Sequence, residues 1–227
     1  MSITGKNRLD PTKAPTLPFA PVQYDRGYTD TKNNYLRQYF NTIDNATSQL
    51  FSNLGGGRFL TFPHIAAQDS GNQYATATDT PTLIAWDTLD TGIAFTLNPS
   101  GTATPEHTGV YKIDYSLQFL NTDTQIKEAY VWLQIDGVDL PGSASTFSVA
   151  SSHGGVPGAL VAYSSITFEI TGGCEIGLWW ATNQAYDPVG PVDGIYMSGT
   201  PAQTSPFAMP STPSAIGSIV FVSGVVS

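Results

Sequence analysis

Residues 108–135, TGVYKIDYSLQFLNTDTQIKEAYVWLQI, contain two segments in which apolar and polar side chains alternate. The apolar positions are Tyr111, Ile113, Tyr115, Leu117 and Phe119 in the first segment, and Ala129, Val131, Leu133 and Ile135 in the second. A repeat of two places one face of each strand against a core. The other face carries charges in the first segment and Tyr130 and Trp132 in the second. We therefore predict two long strands at the centre of an antiparallel sandwich.

The chain after Arg58 contains further short β segments separated by turn residues. We predict strands near residues 59–68, 82–86, 91–97, 138–140, 146–150, 160–170, 175–181, 194–197 and 214–226. Roughly eight to ten strands with turns between them are typical of a jelly roll or sandwich. Residues 182–193 and 198–213 are predicted to be long loops, and such loops often carry function in rigid β scaffolds. The fold class predicted is thus mainly β.

Residues 1–28 are predicted to form an extended arm without a core of its own. Their four prolines prevent a regular helix or a central strand. The apolar side chains in this arm could anchor it in the groove of a partner. The residues predicted to attach it are Leu17, Phe19, Val22, Tyr24 and Arg26. The alternative is a solvated tail.

Residues 30–54 are predicted to form a helix, capped by Thr29 or Asp30 and ended by the glycines at 55–57. Apolar side chains recur every seven residues along it. Its predicted contact residues are Leu36, Phe40, Ile43, Leu50 and Leu54. Such a stripe suits a short coiled coil, although it could equally pack on the chain's own β body.

Three segments follow from these patterns: an arm at 1–28, a helix and glycine linker at 29–57, and a β body at 58–227. Their charges differ. The first 58 residues carry seven cations and four carboxylates, a net charge of +3, whereas the rest carries two lysines and fourteen carboxylates, a net charge of −12. An acidic body disfavours nucleic acid as a partner. The basic arm suits an acidic protein surface.

The composition of the chain also bears on the cellular compartment in which the protein is made. One cysteine, Cys174, excludes an internal disulfide framework. No apolar run reaches the roughly 20 residues that span a bilayer, and residues 1–15 lack the apolar core of a signal peptide. We therefore expect no membrane insertion, and synthesis in a cytoplasm.

Candidate catalytic or metal-binding residues are sparse. His64, His107 and His153 have no metal-ligand spacing. No nucleotide-binding loop, triad motif or zinc signature is present. Asp187 and Asp193 have no nucleophile or base placed beside them, although the loops that carry them have oxygen ligands that Ca²⁺ could use. We expect no enzymatic activity and no cofactor.

Four stretches in order suggest a family: TGVYKIDYSLQF, VWLQIDGVDLPGS, LVAYSSITFEITGGCEIGLWWAT and PSAIGSIVFV. Over roughly residues 75–227 they resemble the jelly-roll domain shared by tumour necrosis factor and complement globular heads. They look closest to the version found in bacteriophage virion proteins. Residues 17–45 also resemble the leader segments of such proteins. Cys174-Glu175 stands where an acidic glycine turn is usual, so there only the following strand matches well.

The resemblance implies a homotrimer in a virion, attached to other virion proteins of the tail, the portal region or the coat. We expect a fibre whose head binds a glycan or protein of the host surface, with the receptor-binding residues unknown. The alternative is a capsid decoration protein, and a glycan-degrading tail enzyme is disfavoured because no paired acids mark a groove.

The residues also point to subunit contacts. Tyr130, Trp132, Trp179 and Trp180 cannot all face one core, because neighbouring positions on a strand point to opposite faces. The surplus aromatics must meet a loop or a second subunit. We therefore expect Trp132 and Trp180 to help the helix in trimerisation.

Overall fold

The computed structural model describes residues 16–17, 19, 22–51 and 62–224. Within these residues it has one helix, α1 (Arg26–Phe51), and fourteen strands. The strands are β1 (His64–Asp69), β2 (Gln73–Tyr74), β3 (Thr82–Leu83), β4 (Thr88–Ile93), β5 (Phe95–Leu97), β6 (Ala103–Pro105), β7 (Gly109–Asn121), β8 (Lys127–Ile135), β9 (Val138–Asp139), β10 (Ser145–Val149), β11 (Gly158–Ile170), β12 (Ile176–Thr182), β13 (Ile195–Met197) and β14 (Ala215–Ser223).

The strands form two antiparallel sheets. In sheet A the central strand β7 pairs with β11 on one side and with β14 on the other, and β1 and β4 follow β14. The short strands β13 and β2 extend sheet A beside the end of β7. Sheet B has the order β10-β8-β12-β6-β5, with β3 on β12 and β9 on β8. This arrangement confirms the prediction of a mainly β jelly roll.

The two strands predicted from residues 108–135 are β7 and β8, and they lie in different sheets. Along β7 every second side chain from Gly109 to Asn121 is buried, and β8 buries Ala129, Val131 and Leu133. Their apolar faces meet across the core instead of pairing edge to edge. The predicted alternation is confirmed, and it fixes which face of each sheet is left outside.

The helix α1 begins earlier than predicted. The carboxylate of Asp25 accepts hydrogen bonds from the backbone N–H groups of Gly27 and Tyr28, at 2.7 and 3.4 Å. Asp25 is therefore the N-cap, in place of the predicted Thr29 or Asp30, because its side chain reaches the unpaired donors of the first turn. The predicted end at Leu54 and the glycines at 55–57 lie outside the described residues.

The described residues fall into two compact units, with the division between Phe62 and Pro63. One unit holds α1 and the other holds all of the strands. Arg26, predicted in the arm, is the first residue of α1. The domain boundaries at 28/29 and 57/58 remain predictions.

The two long predicted loops are held by backbone hydrogen bonds. Residues 198–213 form an antiparallel ribbon, in which Thr200 bridges Thr212 and Gln203 bridges Met209. In the other loop, the N–H of Asp187 donates to the carbonyl of Val192 at 3.0 Å. Both loops are thus ordered parts of the body.

Asp69, at the end of β1, is a buried carboxyl group. Burial raises its pKa above the ordinary value of 3.8, and hydrogen bonds from Gly71 and Ser214 offset only part of this effect. The negative charge of Asp87 raises the pKa further. The folded state therefore binds this proton more tightly than the unfolded chain, so the free energy of unfolding falls as pH rises from 3.8 through the folded pKa.

Replacing Asp69 by asparagine is expected to remove this loss of stability. The free energy of unfolding of Asp69→Asn, relative to the unmodified protein, should rise with pH above 3.8 and then level off. Urea unfolding at several pH values measures the difference. Asp136→Asn is the control, for which the difference in free energy of unfolding should fall as pH rises towards 3.8. The reason is that the N–H of Glu175 holds the pKa of Asp136 below 3.8. A constant difference for Asp69→Asn would contradict the assignment.

Candidate assembly interface

The outer face of sheet A carries an apolar surface on its central strands. Alternate residues of β11 and β14 point away from the core. Four of them, which we call the sheet A patch, are from 40% to 60% exposed: Val161, Tyr163, Ile216 and Val220. Contiguous exposed apolar surface of this kind marks interaction sites in monomeric proteins. The sheet A patch is therefore a candidate contact surface for a partner.

The strand register brings three residues of the sheet A patch together, whereas Val220 lies opposite Lys112, four residues further along β14. Ser116 of the central strand β7 pairs with Tyr163 on one side and with Ile216 on the other. Two residues further along β7, Gln118 lies opposite Val161. Ser116 is small, so the two larger side chains flank a shallow depression along β7. A flat, partly apolar sheet face of this type suits packing against another protein surface.

One ion pair lies within the same face. The ammonium group of Lys112 is 2.9 Å from Asp114, and the hydroxyl of Tyr163 donates to Asp114 at 3.1 Å. Burial raises the pKa of Asp114, but hydrogen bonds from Lys112, Ser165 and Tyr163 lower it overall. Because its charges are already paired with each other, the face costs less to desolvate than one with a lone charge.

The predicted helical contact residues form an incompletely covered stripe. Leu36 and Ile43 are half-buried, and Phe40 is exposed. Of the side chains described for α1, at 26–45 and 47, none is buried. The side chain of Leu50 and the whole of Leu54 lie outside the described residues. The 26-residue helix thus presents an apolar stripe that a partner helix could cover.

The predicted attachment residues are open to solvent. Leu17, Phe19, Val22 and Tyr24 are all exposed, and Phe19 and Val22 fully so. Arg26 is exposed and lies 3.7 Å from Asp30 on the next turn of α1. Exposed apolar side chains at this density gain free energy when a partner removes them from water.

The two tryptophans predicted to trimerise point in different directions. Trp180 is fully buried and packs against Phe119 inside the body, so its side chain is not available to a second subunit. The reason is strand parity: Trp180 shares its face of β12 with the buried Ile176 and Leu178. Trp179 takes the outward position instead. Trp132 lies on the outer face of sheet B, opposite Trp179 on the neighbouring strand.

The histidines and carboxylates considered for chemistry remain dispersed. Across residues 62–224 and the described part of the N-terminal unit, no three His, Cys, Asp or Glu side chains lie close enough to share a metal ion. Asp187 caps its own loop by accepting from the N–H of Val189 at 3.0 Å. Burial and a hydrogen bond to Asp136 raise the pKa of the Cys174 thiol, the hydrogen bond having the larger effect. Within the described residues, no helix has the length and apolarity to cross a bilayer.

The residues of the sheet A patch were not singled out in the sequence. Their strands are apolar on both faces, as in AIGSIVFV at 215–222, so alternation alone does not separate inside from outside. These residues could have been identified from this excess of apolar residues, because a strand with one buried face requires apolar residues at only every second position.

The comparisons with known proteins found solved structures that are similar to this chain. No family model matches the chain, and no curated protein does. The structure of the TNF protein Eiger from S. frugiperda is similar over 73% of this chain and 96% of its own length, with 14% identity and a TM-score of 0.45. The globular domain of zebrafish complement 1qA protein is similar over 72% and 99%, with 10% identity and a TM-score of 0.41.

Proposed function

We propose that this protein is a structural subunit of a bacteriophage particle that works as a homotrimer. The arm attaches the trimer to other virion proteins, and the jelly-roll body presents a surface that binds the host. In this proposal the protein is not an enzyme and needs no cofactor. It is made in the host cytoplasm and acts in the virion.

The observation that carries the assembly proposal is the sheet A patch. The four side chains of the patch lie on two strands that flank the centre of the sheet, and the charges among them are internally paired. Self-association would bury this surface without burying an unpaired charge. Three copies are proposed because the resemblance of residues 75–227 to trimeric phage jelly rolls implies that number.

The helix supports the same assembly. None of the described side chains of α1 is buried, and most helical stability in proteins comes from packing of an apolar face and not from intrinsic propensity. Association of three copies along Leu36 and Ile43 would bury the stripe in a short coiled coil.

Placing charges in this stripe tests its role. In Leu36→Asp with Ile43→Asp, we expect the helical circular dichroism signal to fall while the β signal and the near-ultraviolet signal of the body persist. The reason is that the charges would be buried against other copies of themselves. Asn33→Asp with Asp44→Asn, two exposed positions of α1, is a control that leaves the net charge unchanged. Loss of the β signal in the stripe variant would show that the helix belongs to the core of the body.

The arm supports attachment to a larger particle. Its exposed anchors have no described partner in the chain, and the segment up to residue 58 is cationic. Three arms on one trimer bind with avidity, so weak contacts of each arm are sufficient.

The first test is the mass of the full-length protein in solution. Light scattering coupled to size exclusion at micromolar concentration should give three times the chain mass of 24.2 kDa. A mass equal to one chain would remove the assembly proposal. Electron microscopy of intact particles then distinguishes a fibre at the tail or vertex from a decoration on the lattice.

A further inference from the structure

The outer face of sheet B carries a second aromatic surface, on the opposite side of the sandwich from the sheet A patch. Tyr130 and Trp132 of β8 point outward beside Trp179 of β12, and Leu83 of β3 follows Trp179 in register. Within the described body, no segment fully covers the three aromatic side chains, which stay partly exposed. We call Tyr130, Trp132, Trp179 and Leu83 the indole surface.

Trp179 packs over Gly177, which has no side chain to displace it. A Cβ atom added at Gly177 would lie 2.8 Å from the indole nitrogen of Trp179 and 3.0 Å from a methyl carbon of Leu83. The five-membered ring therefore covers the backbone of Gly177 directly. The indole of Trp179 is partly exposed, so it offers an aromatic platform on the outer face of sheet B.

Trp132 is held by a hydrogen bond at its polar edge. Its indole N–H donates to the carboxylate of Asp139 at 2.7 Å, and the side-chain amide of Gln134 donates to the same oxygen at 2.8 Å. The second carboxylate oxygen of Asp139 has no hydrogen bond within residues 62–224, and neither has the amide oxygen of Gln134. Free acceptors thus border the platform, beside an indole whose orientation is fixed.

The charge around the indole surface selects the class of ligand. Its carboxylates are Glu128, which accepts from the hydroxyl of Tyr130 at 2.7 Å, Asp139, and Asp79, whose negative charge lies close enough to Tyr130 to raise its pKa. The only lysines between residues 62 and 224 are Lys112, on sheet A, and Lys127, paired with Asp123. An anionic ligand would therefore be repelled.

We propose that the indole surface binds a neutral glycan. The ring C–H groups of a pyranose form an apolar, weakly positive face that matches the negative face of an indole, and its hydroxyls donate to the free acceptors of Asp139 and Gln134. Flat aromatic groups with a few fixed polar groups give this combination of affinity and orientation. The inference names a ligand for the surface-binding role proposed above and rests on that role.

Fluorine NMR of the full-length protein labelled with 5-fluorotryptophan tests the site. The chain has four tryptophans, so each gives one resonance, assigned by single replacement with phenylalanine. Chitohexaose, maltohexaose and cellohexaose are the probes, with sialyllactose as the anionic comparison. We expect saturable shifts of the Trp132 and Trp179 resonances with at least one neutral probe, and unchanged resonances for the core residue Trp180 and for Trp86.

Variants then assign the contribution of each group. Trp179→Ala should weaken binding about tenfold or more, as expected for the loss of one stacking platform. Gly177→Ala, which displaces the indole without removing it, should also weaken binding. Phe207→Ala is the matched control, because Phe207 is an exposed aromatic residue of the 198–213 ribbon and its loss should leave the affinity unchanged.

The outcomes separate this inference from the assembly proposal when the mass is measured on the same samples. A trimer that shows no saturable shift with any neutral probe, or that binds sialyllactose as tightly, overturns the glycan inference alone. Equal affinities for Trp179→Ala and the unmodified protein also overturn it. A monomer that binds a neutral probe through Trp132 and Trp179 supports the inference while removing the trimer.

Discussion

Replacing Ile216 by aspartate is expected to convert the proposed trimer into folded monomers. Ile216 lies at the centre of the sheet A patch, on the strand that pairs with β7. Burying a fully exposed side chain of this type contributes about 1.5–3 kcal/mol, and Ile216 has 43% of its surface left to bury, so three copies lose roughly 2–4 kcal/mol per trimer. The new carboxylates would also be buried without a partner, which adds to the loss.

The body of Ile216→Asp should stay folded, because the side chain is 43% exposed in the single chain. Size exclusion with light scattering measures the mass, and thermal unfolding verifies the fold. Val189→Asp, on the 182–193 loop, is the matched control and should remain trimeric, since Val189 is almost fully exposed and outside the sheet A patch. If Ile216→Asp had the mass of a trimer, the interface would lie elsewhere on the protein. The predicted contact at Trp132 would then be the next surface to test.

If the protein is the virion subunit proposed above, removing residues 1–23 should abolish its incorporation into particles while preserving the fold and the proposed trimer. The truncation begins at Tyr24 because Asp25 caps α1, so a later start would also damage the helix. It removes Leu17, Phe19 and Val22, the exposed anchors. Three arms on one trimer bind with avidity, so removing all of them together should reduce the number of bound copies to background.

Incorporation is measured by adding purified protein to particles that lack it and quantifying the bound copies. Phe19→Ser in the full-length protein should reproduce part of the loss, whereas Gln23→Ala, a polar change in the same segment, should not. If the truncated protein bound as well as the full-length one, attachment would run through the jelly roll. The decoration alternative would then replace the fibre.

The core strands could be predicted because the alternation of apolar and polar residues along each strand indicates which side chains are buried. β7 and β8 have one apolar and one polar or aromatic face, so a repeat of two identifies both their existence and their orientation. Which of Trp179 and Trp180 faces outward could also have been derived. Gly177 and Ala181 share the face of Trp179, whereas Ile176 and Leu178 share that of Trp180.

The candidate surfaces were harder to predict, because they depend on which strands become neighbours. β14 pairs with β1 and β7, which lie far away in the chain, and no local pattern specifies these pairings. Tyr163 and Ile216 meet across β7 only through this topology. The neighbour of Trp179 on its other side, Leu83, likewise comes from a distant two-residue strand.

The position of β14 in sheet A also has a consequence for biosynthesis. The backbone N–H of Ser214 donates to Asp69, 145 residues earlier in the chain, and this contact closes the sheet. At a translation rate of about 5–20 residues per second, the ribosome needs roughly 7–30 s to bridge that distance. During this time β1 and β7 lack their shared neighbour and expose unpaired backbone edges. We therefore expect folding of sheet A to be completed only after translation has passed β14.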